Sequence, residues 1–229
     1  MDNQKNAPKT HAKQKIKVTK DGPYLVTGGI PLSEQNTCMD NNNQCHAWKE
    51  GKKLPAQENY ALCRCGQSQN KPFCDGSHMR ARFNGTETAS NIPYAEQAKV
   101  TNGPNLNLTD AEGFCANARF CDRAGSAWNL TEQSADPEAR KTAIEEAADC
   151  PSGRLIAWDK DGKPIAQHFE PSIGLVHDTQ YNKMGPIWAR GGIQVESSEG
   201  KNYEVRNKAT LCRCGKSANK PFCDGSHLG

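Results

Sequence analysis

The 229-residue chain has few apolar residues, which make up 35% of it. It holds no run of eighteen apolar residues, which excludes a membrane-spanning helix. Its first twenty residues, MDNQKNAPKTHAKQKIKVTK, lack the apolar core of a secretory leader and the Arg/Ser bias of a mitochondrial presequence. Residues 1–15 read instead as a disordered tail. Charge of one sign is also missing. The net charge is +3, with Lys and Arg mixed among the acids, so no nucleic-acid-binding stripe is expected. No nucleotide fingerprint and no Ser/His/Asp arrangement is found, which points to a carrier rather than a catalyst. With 20 Gly and 13 Pro, loops are plentiful and cores small, so something besides apolar burial must hold the fold.

Cysteine is what the chain has in excess, with eleven in all. A chain without a leader is expected in the cytoplasm, where reducing conditions discourage disulfides. Metal ligation accounts for the cysteines better, because thiolates are soft, charged donors.

Two stretches concentrate them. CRCGQSQNKPFCDGSH runs from Cys63 to His78, and CRCGKSANKPFCDGSH from Cys212 to His227, with only two positions changed. The repeat extends upstream, where GPYLVTGGI from Gly22 matches GPIWARGGI from Gly185. These landmarks lie 163 residues apart and the cysteine motifs 149, so the first copy carries 14 extra residues. They are expected around QNTCMDNNNQCHAW, a polar, Asn-rich, loop-like stretch. Each copy reads as a short strand (Pro23 to Thr27; Pro186 to Arg190), a Gly-Gly turn and further strands. In the second copy these are Ile193 to Glu196 and Tyr203 to Asn207.

Each motif offers three thiolates and an imidazole: Cys63, Cys65, Cys74 and His78, then Cys212, Cys214, Cys223 and His227. That is a complete ligand set for one metal centre, and by donor type alone it suits zinc as well as iron. Cys-x-Cys places two side chains on one face of an extended segment. Cys74 and His78, four apart, are expected on one face of a helical turn that Asp75 and Ser77 begin, with Gly76 relieving crowding. Asn70-Lys71-Pro72 supplies a turn that folds the second pair back toward the first.

The pattern Cys-x-Cys-x2-Ser-x3-Pro-x-Cys-Asp-Gly-Ser-His, present twice with Ser68, Pro72, Ser217 and Pro221 in place, resembles the CDGSH iron–sulfur domain family, which includes the mitoNEET-like NEET proteins. The resemblance implies a [2Fe–2S] cluster in each copy. Cys63 and Cys65 would hold one iron and Cys74 and His78 the other; Cys212 and Cys214, then Cys223 and His227, would do the same in the second copy. It also implies that two copies in one chain pair internally as a pseudo-twofold β-cap, so the chain is expected to be a monomer. An imidazole in place of a thiolate removes a negative charge and competes with protons. Electron transfer or cluster transfer to a redox partner or an acceptor protein is therefore expected. The alternatives are a zinc-stabilised interaction module or the redox relay of an oxidoreductase.

Between the copies, Asp136 and Pro137 open a helix whose buried face is Ala139, Ala143, Ile144, Ala147 and Ala148, ended by Cys150-Pro151-Ser152-Gly153. A hairpin turning at Asp161-Gly162 follows. LTDAE is read as a capping box with Thr109 as N-cap, and TDAEGFCANARF as compatible with an amphipathic helix that would bury Cys115. Cys115, Cys121 and Cys150 resemble a divergent single-cluster ferredoxin-like domain in which Ala118 replaces the central cysteine. That likeness implies a third centre, [3Fe–4S] or [4Fe–4S]. Cys38, Cys45 and His46 are a metal site, a redox pair or plain thiols. His11, His168 and His177 are read as surface or core residues, and Trp128, Trp158 and Trp188 as core. The fold class is α+β, in four segments: the tail 1–15, CDGSH modules at 16–95 and 173–229, and a ferredoxin-like domain at 96–172.

Overall fold

A computed structural model describes residues 14–55 and 57–229. Most of the expected tail, with His11, lies outside the described residues, but Lys15 already opens a strand. The first copy contributes β1 (Lys15–Val18), β2 (Tyr24–Thr27), β3 (Leu32–Met39), β4 (Cys45–Leu54), β5 (Asn59–Leu62) and the short α1 (Ser77–Arg80). The middle segment holds α2 (Tyr94–Gln97), β6 (Lys99–Asn102), β7 (Asn107–Asp110), α3 (Ala127–Glu132), α4 (Pro137–Asp149), β8 (Leu155–Trp158) and β9 (Pro164–Ile165). The second copy contributes β10 (Ser172–Asp178), β11 (Lys183–Arg190), β12 (Gln194–Glu196) and β13 (Lys208–Leu211). The chain is α+β and mostly strand, with the two copies flanking a segment of sheet and helix.

The copies build their sheets jointly. One sheet runs β12-β1-β2-β5 and the other β13-β11-β10-β3-β4. The second copy thus lends β12 to the first, and the first lends β3 and β4 to the second. β12 lies parallel to β1 with Val195 opposite Ile16, and β3 lies parallel to β10 with Leu32 opposite Ile173. Tyr24 faces Leu62 across β2 and β5, while Ile187 faces Leu211 across β11 and β13. These two pairs are related by the same 163- and 149-residue offsets as the sequence repeat. Four-residue strands bury too little surface to stand alone, so the exchange pools both copies into one core. Ile16, Val18, Val26, Leu62, Ile173, Ile187, Val195 and Leu211 are buried in it together.

The 14 extra residues lengthen the β3–β4 hairpin. Only its tip is the expected polar loop: Asp40 closes it, its carboxylate accepting the Asn42 and Gln44 amides at 2.8 and 2.9 Å. The flanks become strand because β3 is paired on both sides, with β10 and β4. The strand expected at Tyr203 to Asn207 forms instead at Lys208–Leu211. Tyr203 turns into the core against Phe222, with ring centroids 5.1 Å apart, which takes its segment off the ladder.

The middle sheet runs β6-β7-β8-β9. Asp136 caps α4 as expected, accepting the Glu138 and Ala139 amides. The face of α4 carrying Ala143 and Ala147 packs on Leu106, Leu108 and Leu155. The hairpin turns at Gly162, whose φ of +77° suits glycine. Thr109 is not a cap. It lies in β7, where its hydroxyl receives the Trp158 indole N–H at 2.8 Å; pairing with β6 and β8 overrides the local signal. Cys115 is not in a helix either. Its segment is a loop with a 3-10 turn at Glu112–Phe114 and left-handed Asn117 and Arg119. Trp188 is buried, whereas Trp128 and Trp158 are half-buried. Among the described residues, no helix is long and apolar enough to cross a membrane.

Candidate metal centres

The donors of each motif come together as two pairs. In the first, Cys63 Sγ lies 3.8 Å from Cys65 Sγ and Cys74 Sγ lies 3.4 Å from His78 Nδ1. In the second, the corresponding distances are 3.7 Å for Cys212 and Cys214 and 3.5 Å for Cys223 and His227. A tetrahedral ion with bonds of about 2.3 Å keeps its sulfurs about 3.8 Å apart, so each pair has the span of one edge of one ion's coordination. Among the described residues, no three His, Cys, Asp or Glu side chains form a group fit for a single metal ion. Three thiolates and one imidazole in each motif are donors suited to iron or zinc.

Backbone hydrogen bonds bring the pairs together. The Cys63 amide donates to Pro72 O at 2.8 Å and the Cys74 amide to Ala61 O at 2.9 Å; Cys212 and Cys223 do the same to Pro221 and Thr210, both at 2.9 Å. Ser68 and Ser217 each donate to the carbonyl of the Phe before the third cysteine, at 2.7 Å. Cys74 and His78 are not on one helix, since α1 begins only at Ser77. They approach because Asp75 accepts the Ser77 amide at 3.0 Å and Gly76 takes φ +82°. The left-handed turn, rather than crowding, is what requires glycine at 76.

Between the cysteines of each Cys-x-Cys, Arg213 holds its loop to β10 and β11, and Arg64 holds its loop to neighbouring turns. Arg64 donates to Thr19 O at 3.1 Å and to Gly85 O; Arg213 donates to Gly185 O at 2.6 Å and Val176 O at 2.5 Å. Tyr24, fully buried, donates to Cys212 O at 2.8 Å and contacts Pro221 O at 2.9 Å, so the first copy supports the second copy's loop. The loops also touch each other. A Cβ on Gly66 would lie 2.6 Å from Cys214 O, and one on Gly215 would lie 2.6 Å from Cys65 O.

Burial works against free thiolates here. It pushes the Cys223 thiol up to about 12. The Cys212–Cys214 hydrogen bond draws Cys212 down and pushes Cys214 up, as when two thiols share a proton. A bound cation is what lets such a set ionise together. Burial lowers the pKa of His227, keeping its imidazole neutral as a metal ligand must be.

Cys115, Cys121 and Cys150 line one small cavity with Asn117, Ser152 and Arg154. Arg154 is held by two bonds to Asp110, at 2.6 and 2.8 Å, which favour its charged form, as does the nearby Cys115 thiol. Burial pushes the Cys121 thiol up to about 12.

Cys38 lies in β3, and Cys45 and His46 open β4. Cys45 is buried, its thiol 3.8 Å from Met39 Sδ and 3.7 Å from Arg119 Nη2, while His46 is exposed. His168 is exposed and pairs with Glu170, and His177 lines a surface pocket. Sequence reasoning missed Trp48. It stacks on Phe120 at 4.6 Å and donates to Asp149 O at 3.0 Å, fastening the lengthened hairpin to the middle segment.

Residues 21–79 and 184–228 both match the family described as iron-binding zinc finger, CDGSH type. Residues 101–160 match the family described as divergent 4Fe-4S mono-cluster. No curated protein and no solved structure matches the chain.

Proposed function

We propose that this iron–sulfur protein, whose two CDGSH domains flank a divergent 4Fe-4S mono-cluster domain, carries electrons or delivers clusters from two [2Fe–2S] sites. Cys63, Cys65, Cys74 and His78 would hold one cluster and Cys212, Cys214, Cys223 and His227 the other. The observation that carries this is the division of each donor set into two pairs, each spanning one metal's coordination edge. A closed zinc site would bring all four donors around one ion. Cys115, Cys121 and Cys150, sharing one cavity, would hold a third cluster.

Such clusters supply one-electron chemistry at a potential set by ligand charge and by hydrogen bonds to sulfur. The chain provides both controls. Imidazole replaces a thiolate in each set. The Gly76 and Gly225 amides point at Cys74 and Cys223 Sγ from 3.5 and 3.4 Å, and the Gln67 amide at Cys65 Sγ from 3.4 Å. Pooled sheets and interlocked loops support an internal pair, so a monomer carrying both sites is the expected species.

The test is iron and acid-labile sulfide analysis on protein purified without oxygen. About four irons and as much sulfide per chain are expected from the twin sites, rising to about seven or eight irons with the middle site filled. Zinc without labile sulfide would overturn the reading.

A further inference from the structure

We propose that the twin sites have divided roles. The N-terminal site, with Cys74 and His78 at its rim, exchanges its cluster with an outside acceptor. The C-terminal site, with Cys223 and His227, is retained because the middle segment covers it. This rests on the reading that both motifs hold clusters.

The motifs are nearly identical, so any difference comes from what packs on them. Gly225 is buried, and a Cβ there would meet Asn117 Cβ at 2.9 Å and its amide nitrogen at 3.1 Å. Asn117 lies in the loop between Cys115 and Cys121. Gly76, the equivalent position, is half-buried, and among the described residues a Cβ there would meet only its own neighbour Met79, at 3.6 Å. The second motif is fastened further by Asn219, which donates to Gly113 O at 3.0 Å, and by Phe222, edge-on to Phe114 at 6.1 Å. Thr88 and Ala89 cross over it, their amides donating to Lys220 O at 2.8 and 2.9 Å. Phe73, the counterpart of Phe222, packs edge-on to Tyr60 of its own module at 6.3 Å. Cys223 is 2% exposed and Cys74 half-buried, and Met79, next to His78, is 72% exposed.

Transfer would begin as two acceptor donors replace Cys74 and His78 and be complete when two more replace Cys63 and Cys65, four metal–donor bonds broken for four formed with no change in oxidation state. It needs those donors to reach the rim. At the C-terminal site Asn117 and its loop must first move away, and local opening of packed structure lowers the rate by the open fraction.

The experiment follows visible absorbance and iron release from the full, cluster-loaded chain after addition of EDTA. Read with Cys121→Ala, which removes any contribution of the middle site, the twin clusters are expected to leave in two phases, separated by about tenfold or more. His78→Cys should slow the fast phase, and His227→Cys should leave it unchanged. Asn117→Gly keeps the left-handed backbone at φ +61° without strain and removes the covering side chain. It should accelerate only the slow phase, by several-fold. Release of both twin clusters at one rate, a fast phase altered by His227→Cys, or no response to Asn117→Gly would overturn the proposal. Absence of iron and labile sulfide in the starting protein would instead sink the cluster reading beneath it.

Discussion

Substituting alanine for Gly215 tests whether the twin sites are mechanically joined. Gly215 takes φ +81°, and a Cβ there would lie 2.6 Å from the oxygen and 3.1 Å from the carbon of the Cys65 carbonyl. The left-handed backbone costs an alanine about 1–2 kcal/mol. Forcing a methyl against a packed backbone adds about 1–3 kcal/mol. The total is about 2–5 kcal/mol, which lowers Tm by about 5–15 °C in a chain of this size. The effect should cross between copies. The strained atom belongs to a proposed ligand of the first site, so Gly215→Ala should disturb the N-terminal cluster although the change is in the C-terminal motif. The assay is thermal unfolding together with cluster content in a Cys223→Ala background, where only the N-terminal twin site can load. Gly200→Ala is the control. Its φ is +82° and none of the described residues lies within 4 Å of its Cβ, so it carries the backbone strain alone and should leave the site intact. If Gly215→Ala behaved like Gly200→Ala, the loops would not be in contact and the reasoning would fail.

Three further outcomes follow from buried contacts. Tyr24→Phe removes the hydroxyl shared by Cys212 O and Pro221 O and should cost about 1–2 kcal/mol by denaturant titration, with earlier loss of the C-terminal cluster. Burial pushes the Glu146 carboxyl up to about 7, and one of its oxygens is buried without a partner. Because the folded pKa lies above the unfolded value, stability falls as pH rises from about 4 to 7. Glu146→Gln should remove that slope and stabilise the protein by about 1–3 kcal/mol at pH 8 and by little at pH 4, measured by urea unfolding across pH. Trp48→Ala should cost about 2–4 kcal/mol and raise protease sensitivity between the lengthened hairpin and the middle segment; unchanged digestion would contradict the docking role of the hairpin.

What could be read in the sequence was local or repeated. The twin motifs, their donors and the 14-residue surplus are visible because one copy can be laid on the other. The α4 cap at Asp136 and the turn at Gly162 are visible because a side chain or a positive φ specifies them within a few residues. What was hidden depends on distant partners. The exchange of β3 and β12 joins residues more than a hundred positions apart, as Leu32 with Ile173 and Ile16 with Val195. Thr109 carries a convincing cap signal, yet strand pairing on both sides overrides it. The contact of Asn117 with Gly225 distinguishes two motifs that look alike in sequence, and neither residue predicts the other.

The most direct measurement is electron paramagnetic resonance of the dithionite-reduced protein, with nitrogen hyperfine detection. Spin-half signals from reduced binuclear centres coupled to imidazole nitrogen are expected, the coupling reduced by His78→Cys and abolished when His227→Cys is added. A colourless, silent sample, or signals whose nitrogen coupling survives both substitutions, would contradict the cluster reading.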